Sequence, residues 1–125
     1  MNISCGVDII EIERIKEDVE QIGEKFLNRV FTDKEIEYCE SKKMQKYQHY
    51  AGRFAAKEAA FKAVSKYLDD KYSVCWKDFE VINDNQGRPK INLSNINTDK
   101  IENIDISISH CKSYAIANVT VLYKD

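Results

Sequence analysis

Two acidic residues stand where the surrounding pattern calls for apolar side chains. Asp8 lies in the strand-like run Ile3-Ser-Cys-Gly-Val-Asp-Ile-Ile10, and Glu58 in the helical run Gly52-Arg-Phe-Ala-Ala-Lys-Glu-Ala-Ala-Phe-Lys62. A carboxylate withdrawn from water without a partner is strongly disfavoured, so such groups are usually paired or bind a metal. Mg2+ takes oxygen ligands, keeps several waters, and needs only one or two protein carboxylates plus substrate phosphates. Asp8 and Glu58 suit that role. Lys62 falls one helical turn beyond Glu58 and can reach it or a phosphate bound beside it. Arg53, Lys57, Lys62 and Lys66 form a basic set on the same helix. The plainer reading has Asp8 capping the next helix, Glu58 paired with Lys62, and the lysines serving solubility. Each residue alone fits that reading as well; the pair and the basic set together favour a site for a cation and a phosphate.

Neither a Gly-x-x-x-x-Gly-Lys-Ser/Thr nor a Gly-x-Gly-x-x-Gly segment occurs, so no glycine loop is available to cradle phosphates. A bound nucleotide must be held by side chains, metal and isolated backbone amides. His110 ends an Ile-Ser-Ile-Ser-His strand, where it could bond a phosphate, accept a proton or simply meet backbone. His49 opens the long helix and is assigned packing or solvation alone.

The elements that carry these residues follow from periodicity. Ile3, Cys5, Val7 and Ile9 alternate along the first strand, the period of a half-buried strand, which puts Asp8 on the opposite face with Ser4, Gly6 and Ile10. Gly6 on that face leaves room for a ligand or another backbone. Ile12, Ile15, Val19, Ile22 and Phe26 form one helical stripe. Thr32-Asp-Lys-Glu35 is a capping-box sequence opening a short helix through about residue 39. A third helix is expected from Lys46 to Leu68, with six alanines between positions 51 and 63. Tyr50, Phe54, Phe61 and Leu68 cluster on one side of it, with Glu58 about 40° from Phe54 at the edge of that stripe. Strands are expected at Phe79–Asn83 and Lys90–Leu93 around a turn-rich hairpin, then at 104–110 and 115–123. One strand, three helices and consecutive antiparallel strands make an α+β fold.

The 125 residues are the size of one domain, and 43% apolar content can fill a single core. The net charge of −2 and the lack of a basic arm disfavour nucleic acid as the main partner. No run is long enough to span a membrane and no export signal is visible, so a cytoplasmic location is expected. Cys5, Cys39, Cys75 and Cys111 are too dispersed for a zinc or Cys-x-x-Cys centre and are expected to be reduced packing residues.

Gly6-Val-Asp8, 45 intervening residues, then Phe54-Ala-Ala-Lys57-Glu58-Ala59-Ala-Phe-Lys62 resembles the spaced pattern of the phosphopantetheinyl transferases. The resemblance is closer to their short bacterial holo-[acyl-carrier-protein] synthase group. It extends through Phe26-Leu-Asn-Arg-Val-Phe-Thr-Asp-Lys-Glu35, Asn85-Gln-Gly-Arg-Pro89 and Ile106-Ser-Ile-Ser-His110, nearly the whole chain.

That resemblance implies transfer of 4′-phosphopantetheine from coenzyme A to a serine of an apo acyl carrier protein, releasing adenosine 3′,5′-bisphosphate, in support of fatty acid biosynthesis. It implies that Asp8 and Glu58 hold Mg2+ against the coenzyme A pyrophosphate and that Lys62 contacts the phosphates. Glu58 itself or a water on the metal takes the serine proton. Arg53, Gly87, Arg88, Pro89 and His110 join Lys62 as coenzyme A contacts, with Gly87–Pro89 supplied by a neighbouring subunit of a homotrimer. The helix from Glu13 to Phe26 matches the carrier-docking helix, with Arg14, Ile15, Ile22 and Phe26 as contacts. One departure is Ala63-Val-Ser-Lys-Tyr-Leu-Asp-Asp-Lys-Tyr72, where related sequences often carry a glycine-containing turn. Two other classes stand beside this reading. A metal-dependent phosphohydrolase generally needs more ligands than two carboxylates supply. A non-enzymatic carrier- or nucleotide-binding module would make the acidic pair structural.

Overall fold

The computed structural model describes residues 2–125. Strand β1 (Asn2–Glu11) and strand β4 (Ile101–His110) flank a central β5 (Tyr114–Tyr123), all antiparallel, in the order β1-β5-β4. On β5, Ala115, Ala117, Val119, Val121 and Tyr123 are buried while the residues between them face outward or are only half-covered. Between β1 and β4 come helices α1 (Ile12–Gln21), α2 (Glu24–Val30), α3 (Asp33–Glu40) and α4 (Lys46–Val64), then a hairpin of β2 (Phe79–Asn83) and β3 (Pro89–Leu93). The α+β class is as expected.

Helix α4 crosses the inner face of the sheet, packing on β1 and β5 and bordered by α1, α3 and β2. All six of its alanines are buried, and Phe54 and Phe61 are only half-buried. Beyond Tyr50, which is fully buried, the aromatic stripe therefore does not mark the core-facing side. Small side chains do, because they let the helix axis sit close to the strands. At Gly6 the approach is closest: a Cβ there would lie 2.0 Å from the Ala59 carbonyl oxygen. The space beside Gly6 is filled by the backbone of α4.

This contact explains an inversion. Ile3, Cys5, Val7 and Ile9 were expected to form the half-buried face of β1, yet they point away from α4, with Ile3 64%, Val7 52% and Ile9 62% exposed. The face with Ser4, Gly6, Asp8 and Ile10 is the one against the helix. Alternation tells that the two faces differ. Which face is inside was decided by the small residues of Gly6 and α4, not by apolarity.

Two boundaries also differ from expectation. The stripe from Ile12 to Phe26 is two helices, because Gly23 takes φ +74° and ends the first turn series. The described residues thus form four α-helices. The long helix stops at Val64, followed by a 3-10 turn at Ser65–Tyr67 and extended backbone at Leu68. Thr32 and Glu35 form the anticipated capping box, with both reciprocal bonds present. All four cysteines are free, but only Cys39 is a packing residue; Cys5, Cys75 and Cys111 are exposed. Burial pushes the Cys39 thiol up to about 12. Among the described residues no helix is long and apolar enough to cross a membrane.

Candidate active site

The inward turn of Asp8 and the close seat of α4 bring the two carboxylates together. Asp8 lies opposite Ala117 in the β1–β5 register and leans toward α4. Glu58 leaves α4 half-buried beside it. Both line one open depression with Ile9, Ile10, Arg14, Phe54 and Tyr114. Burial raises the Glu58 carboxyl above its usual range, the neighbouring Asp8 charge adds to the rise, and Lys62 opposes it. Lys62 Nζ donates to the Val7 carbonyl at 2.9 Å and lies 3.5 Å from Asp8 Oδ1. Its side chain remains half-exposed, free to turn to an incoming anion.

Among the described residues no group of three or more His, Cys, Asp or Glu could hold a metal ion. Two carboxylates in mutual repulsion, with no third ligand, match the donor set of Mg2+, which completes its shell with water and substrate phosphate. They do not match a structural zinc site. Glu58 also borders a second cleft, mostly apolar, lined by Phe61, Tyr72, Val74, Trp76 and Phe79. It therefore stands on a ridge between a charged depression and an apolar one.

The basic set on α4 is not the row the sequence implied. Lys57 is fully enclosed and paired with Glu35 at 2.6 Å. Burial lowers its pKa, with Glu35 opposing. Arg53 is also buried; its guanidinium stacks on Tyr38 at 4.0 Å and donates to Asn83 Oδ1 at 2.5 Å. Its Nε is buried without a hydrogen-bond partner. Lys62 is exposed on α4, and Lys66 is exposed in the 3-10 turn beyond it. A helix enclosed on most of its surface explains this: Lys62 is the one exposed residue of α4, and even Ala63 and Val64 at its end are buried.

His110 is exposed at the end of β4, its ring 6.2 Å from that of His49, which in turn meets Tyr38 edge-on. Burial lowers the His49 pKa, and Arg53, Lys42 and His110 add to the fall. His49, given only a packing role from sequence, thus belongs to a basic cluster with His110 and Arg53. His49 and Arg53 are one turn apart on α4, and only His110, brought in by β4, is distant in sequence. Gly87 takes φ +82° in a tight hairpin turn, where the Asp84 carboxylate accepts the Gln86 and Arg88 N–H groups at 2.9 Å each. Arg88 and Pro89 line a separate depression with Asn103 and Ile104, sharing no residue with that of Asp8 and Glu58.

Of the docking residues, Arg14 is exposed and lines the Asp8–Glu58 depression itself, and Ile22 is exposed at the end of α1. Ile15 and Phe26 are corrections: they are 1% and 5% exposed, packed in the core, and have no surface to offer a partner. Phe54 and Tyr114 line the depression and were missed. Tyr114 reaches it only through the β1–β5 register, which no local pattern encodes. The 63–72 segment runs from the last residues of α4 into the 3-10 turn and borders both the apolar cleft and a further depression beside Tyr123.

Residues 4–119 match the model of the 4′-phosphopantetheinyl transferase superfamily, to which this chain belongs. Within it, the similarity narrows to one kind of enzyme. A holo-[acyl-carrier-protein] synthase of Ruminiclostridium cellulolyticum is 41% identical over 130 residues, covering 100% of this chain and 96% of that protein. One of Protochlamydia amoebophila is 44% identical over 119 residues, covering 94% and 95%. Among solved structures, the synthase of Bacillus anthracis in complex with CoA (3′,5′-ADP) superposes with a TM-score of 0.78 at 34% identity, over 98% of this chain and 96% of that one. The Helicobacter pylori synthase in complex with coenzyme A gives 0.81 at 33% identity, over 94% and 99%.

Proposed function

We propose that this chain is a Mg2+-dependent holo-[acyl-carrier-protein] synthase, acting as a single domain within a cytoplasmic homotrimer that supports fatty acid biosynthesis. It transfers 4′-phosphopantetheine from coenzyme A to a serine of apo acyl carrier protein and releases adenosine 3′,5′-bisphosphate. The observation that carries this reading is the meeting of Asp8 and Glu58 across β1 and α4, with Lys62 against Asp8, in a chain similar throughout its length to such synthases.

In the reaction the serine oxygen forms a bond to the phosphorus bearing pantetheine. The bond from that phosphorus to the bridging oxygen breaks, and the adenosine bisphosphate leaves with the electron pair. Asp8 and Glu58 would hold Mg2+, which supplies charge neutralisation at the pyrophosphate as negative charge develops on the leaving group. Lys62 swings from Asp8 to a phosphate oxygen. Glu58, whose carboxyl is raised by burial and by the neighbouring Asp8 charge, takes the serine proton at its carboxylate. Arg14 beside the pair meets the acidic carrier, and the apolar cleft flanking Glu58 shields the reacting centre from water.

The separate depressions of Asp8 and Arg88 support a site completed between subunits, and the outward apolar face of β1 supports association. Incubation with coenzyme A, Mg2+ and apo carrier should add one phosphopantetheine to the carrier by mass spectrometry. Asp8→Ala and Glu58→Ala should each abolish it while staying folded; near-normal turnover by either, metal-saturated, would refute the assignment. Coenzyme A cleaved at the same rate without carrier would point to a hydrolase. Mixing inactive Asp8→Ala with inactive Arg88→Ala subunits should restore part of the activity. No recovery after verified exchange would rule out the shared site.

A further inference from the structure

The Lys57–Glu35 pair has no part in the chemistry above, yet it is fully buried and bonded on both sides. Lys57 Nζ donates to Glu35 Oε1 at 2.6 Å, to the Phe79 carbonyl at 2.6 Å and to the Trp76 carbonyl at 3.2 Å, using all three N–H bonds. Glu35 Oε1 also accepts the Thr32 N–H at 2.9 Å, and Oε2 accepts the Val81 N–H at 2.9 Å. The bonds thus tie α4 to three other places: the N-terminus of α3, the turn at Trp76–Asp78, and β2.

Buried ion pairs can often be replaced by apolar residues of similar volume without loss of stability. What an apolar junction lacks is direction. Lys57 immediately precedes Glu58, so the two side chains leave α4 about 100° apart. Three bonds to the Lys57 ammonium therefore fix the rotation of α4 about its axis, and with it the direction in which Glu58 projects toward Asp8. The same junction seats β2 through Phe79 and Val81. The last residue of β2, Asn83, accepts the Arg53 hydrogen bond, and Arg88 lies in the turn beyond it.

We infer that Lys57 and Glu35 are a positioning pair for the transfer reaction, locking the Glu58 carboxylate and the hairpin that carries Arg88 into one rigid unit. Neither touches substrate. The inference rests on the assignment of Asp8 and Glu58 as the reacting pair.

The test compares Glu35→Gln, Lys57→Met and the double variant, each assayed where circular dichroism shows it folded. All three should lose at least tenfold in kcat, and KM for coenzyme A should rise as the hairpin that carries Arg88 loosens. The double variant should melt higher than Lys57→Met, which leaves an unpaired carboxylate buried, while its kcat stays low. In metal-free Glu35→Gln, amide exchange across residues 79–83 should accelerate at least tenfold, with α1 unchanged. A double variant with native kcat, or unchanged exchange in β2, would overturn the inference. If the single variants fail to fold, Lys57→Arg decides, since it keeps the charge and alters the reach: lowered kcat supports positioning, native kcat refutes it. Asp8→Ala is run alongside. Activity in Asp8→Ala would overturn the reacting pair itself, whereas inactive Asp8→Ala beside a native-like double variant would overturn only the positioning role.

Discussion

Substituting Gly6 with alanine should damage both stability and catalysis through a single collision. The added Cβ would lie 2.0 Å from the Ala59 carbonyl oxygen, 2.9 Å from Lys62 Cβ and 3.0 Å from the Ala59 carbonyl carbon. Real contacts do not fall below 3.0 Å, so β1 and α4 must separate by about 1 Å. The obstacle is main chain, and no rotamer change relieves it. Overpacking of this kind costs about 1–3 kcal/mol, and a backbone collision belongs at the upper end. With an unfolding entropy of about 2.1 cal/mol/K per residue, a cost of about 3 kcal/mol lowers Tm by roughly 11 °C for a chain of this size. The same displacement moves Asp8 away from Glu58, and a 1 Å error in a reacting site costs on the order of 100-fold in rate. Thermal melts at one fixed protein concentration and turnover with apo carrier read the two effects. Gly52→Ala is the contrast: its Cβ meets only the Ile108 methyl, at 3.0 Å, and alanine favours a helix, so little change is expected. Adding Ala59→Gly to Gly6→Ala should not rescue, because the carbonyl oxygen remains. A Gly6→Ala protein within 3 °C and twofold of native would refute the reasoning.

Lys62→Gln should do little better than Lys62→Ala, each lowering kcat/KM for coenzyme A about tenfold or more, because charge and not bulk is lost; unchanged kinetics in both would remove its phosphate role. Because the Glu58 carboxyl is raised in the folded state, its contribution to metal-free stability is complete below the ordinary carboxylate range and declines as pH rises through the raised value. Glu58→Gln should therefore melt higher than native in chelator at neutral pH and lose that acid-side slope, and equal melting curves would exclude it. Val7→Lys with Ile9→Lys, both on the outward face of β1, should leave the melting of isolated subunits intact but break the proposed trimer into monomers by sedimentation; a trimer in the double variant would place the interface elsewhere.

Much of the site could be read in the chain because its chemistry is expensive. Asp8 and Glu58 declare themselves by standing among apolar residues, and the Thr32–Glu35 box declares itself by reciprocal hydrogen bonds. What failed was inference from polarity to direction. The apolar set of β1 faces out because Gly6 and the alanines of α4 make the other face the close-packed one. Lys57 reads as a surface cation until Glu35, 22 residues earlier, is brought to it by the packing of α3 on α4. Ile15 and Phe26 carry the apolar signature of both a docking stripe and a core stripe, and only the tertiary packing separates them. Tyr114 joins the depression through a strand register, and His49 meets His110 through a tertiary contact, neither of which local spacing records.

The placement of β5 in the middle of the sheet sets the order in which the molecule can be made. Among the described residues, 114–123 are the only strand paired with β1, and they also hold β4. During synthesis at about 5–20 residues per second, β1 waits on the order of 5–20 s for its partner to appear. Through that interval the Asp8 segment has no ladder. Long-range pairing of this kind makes folding slow and leaves unpaired strands open to association. Loss of residues 114–123 would dismantle a site whose carboxylates lie at positions 8 and 58, so a chain interrupted there carries both acids and cannot bring them together.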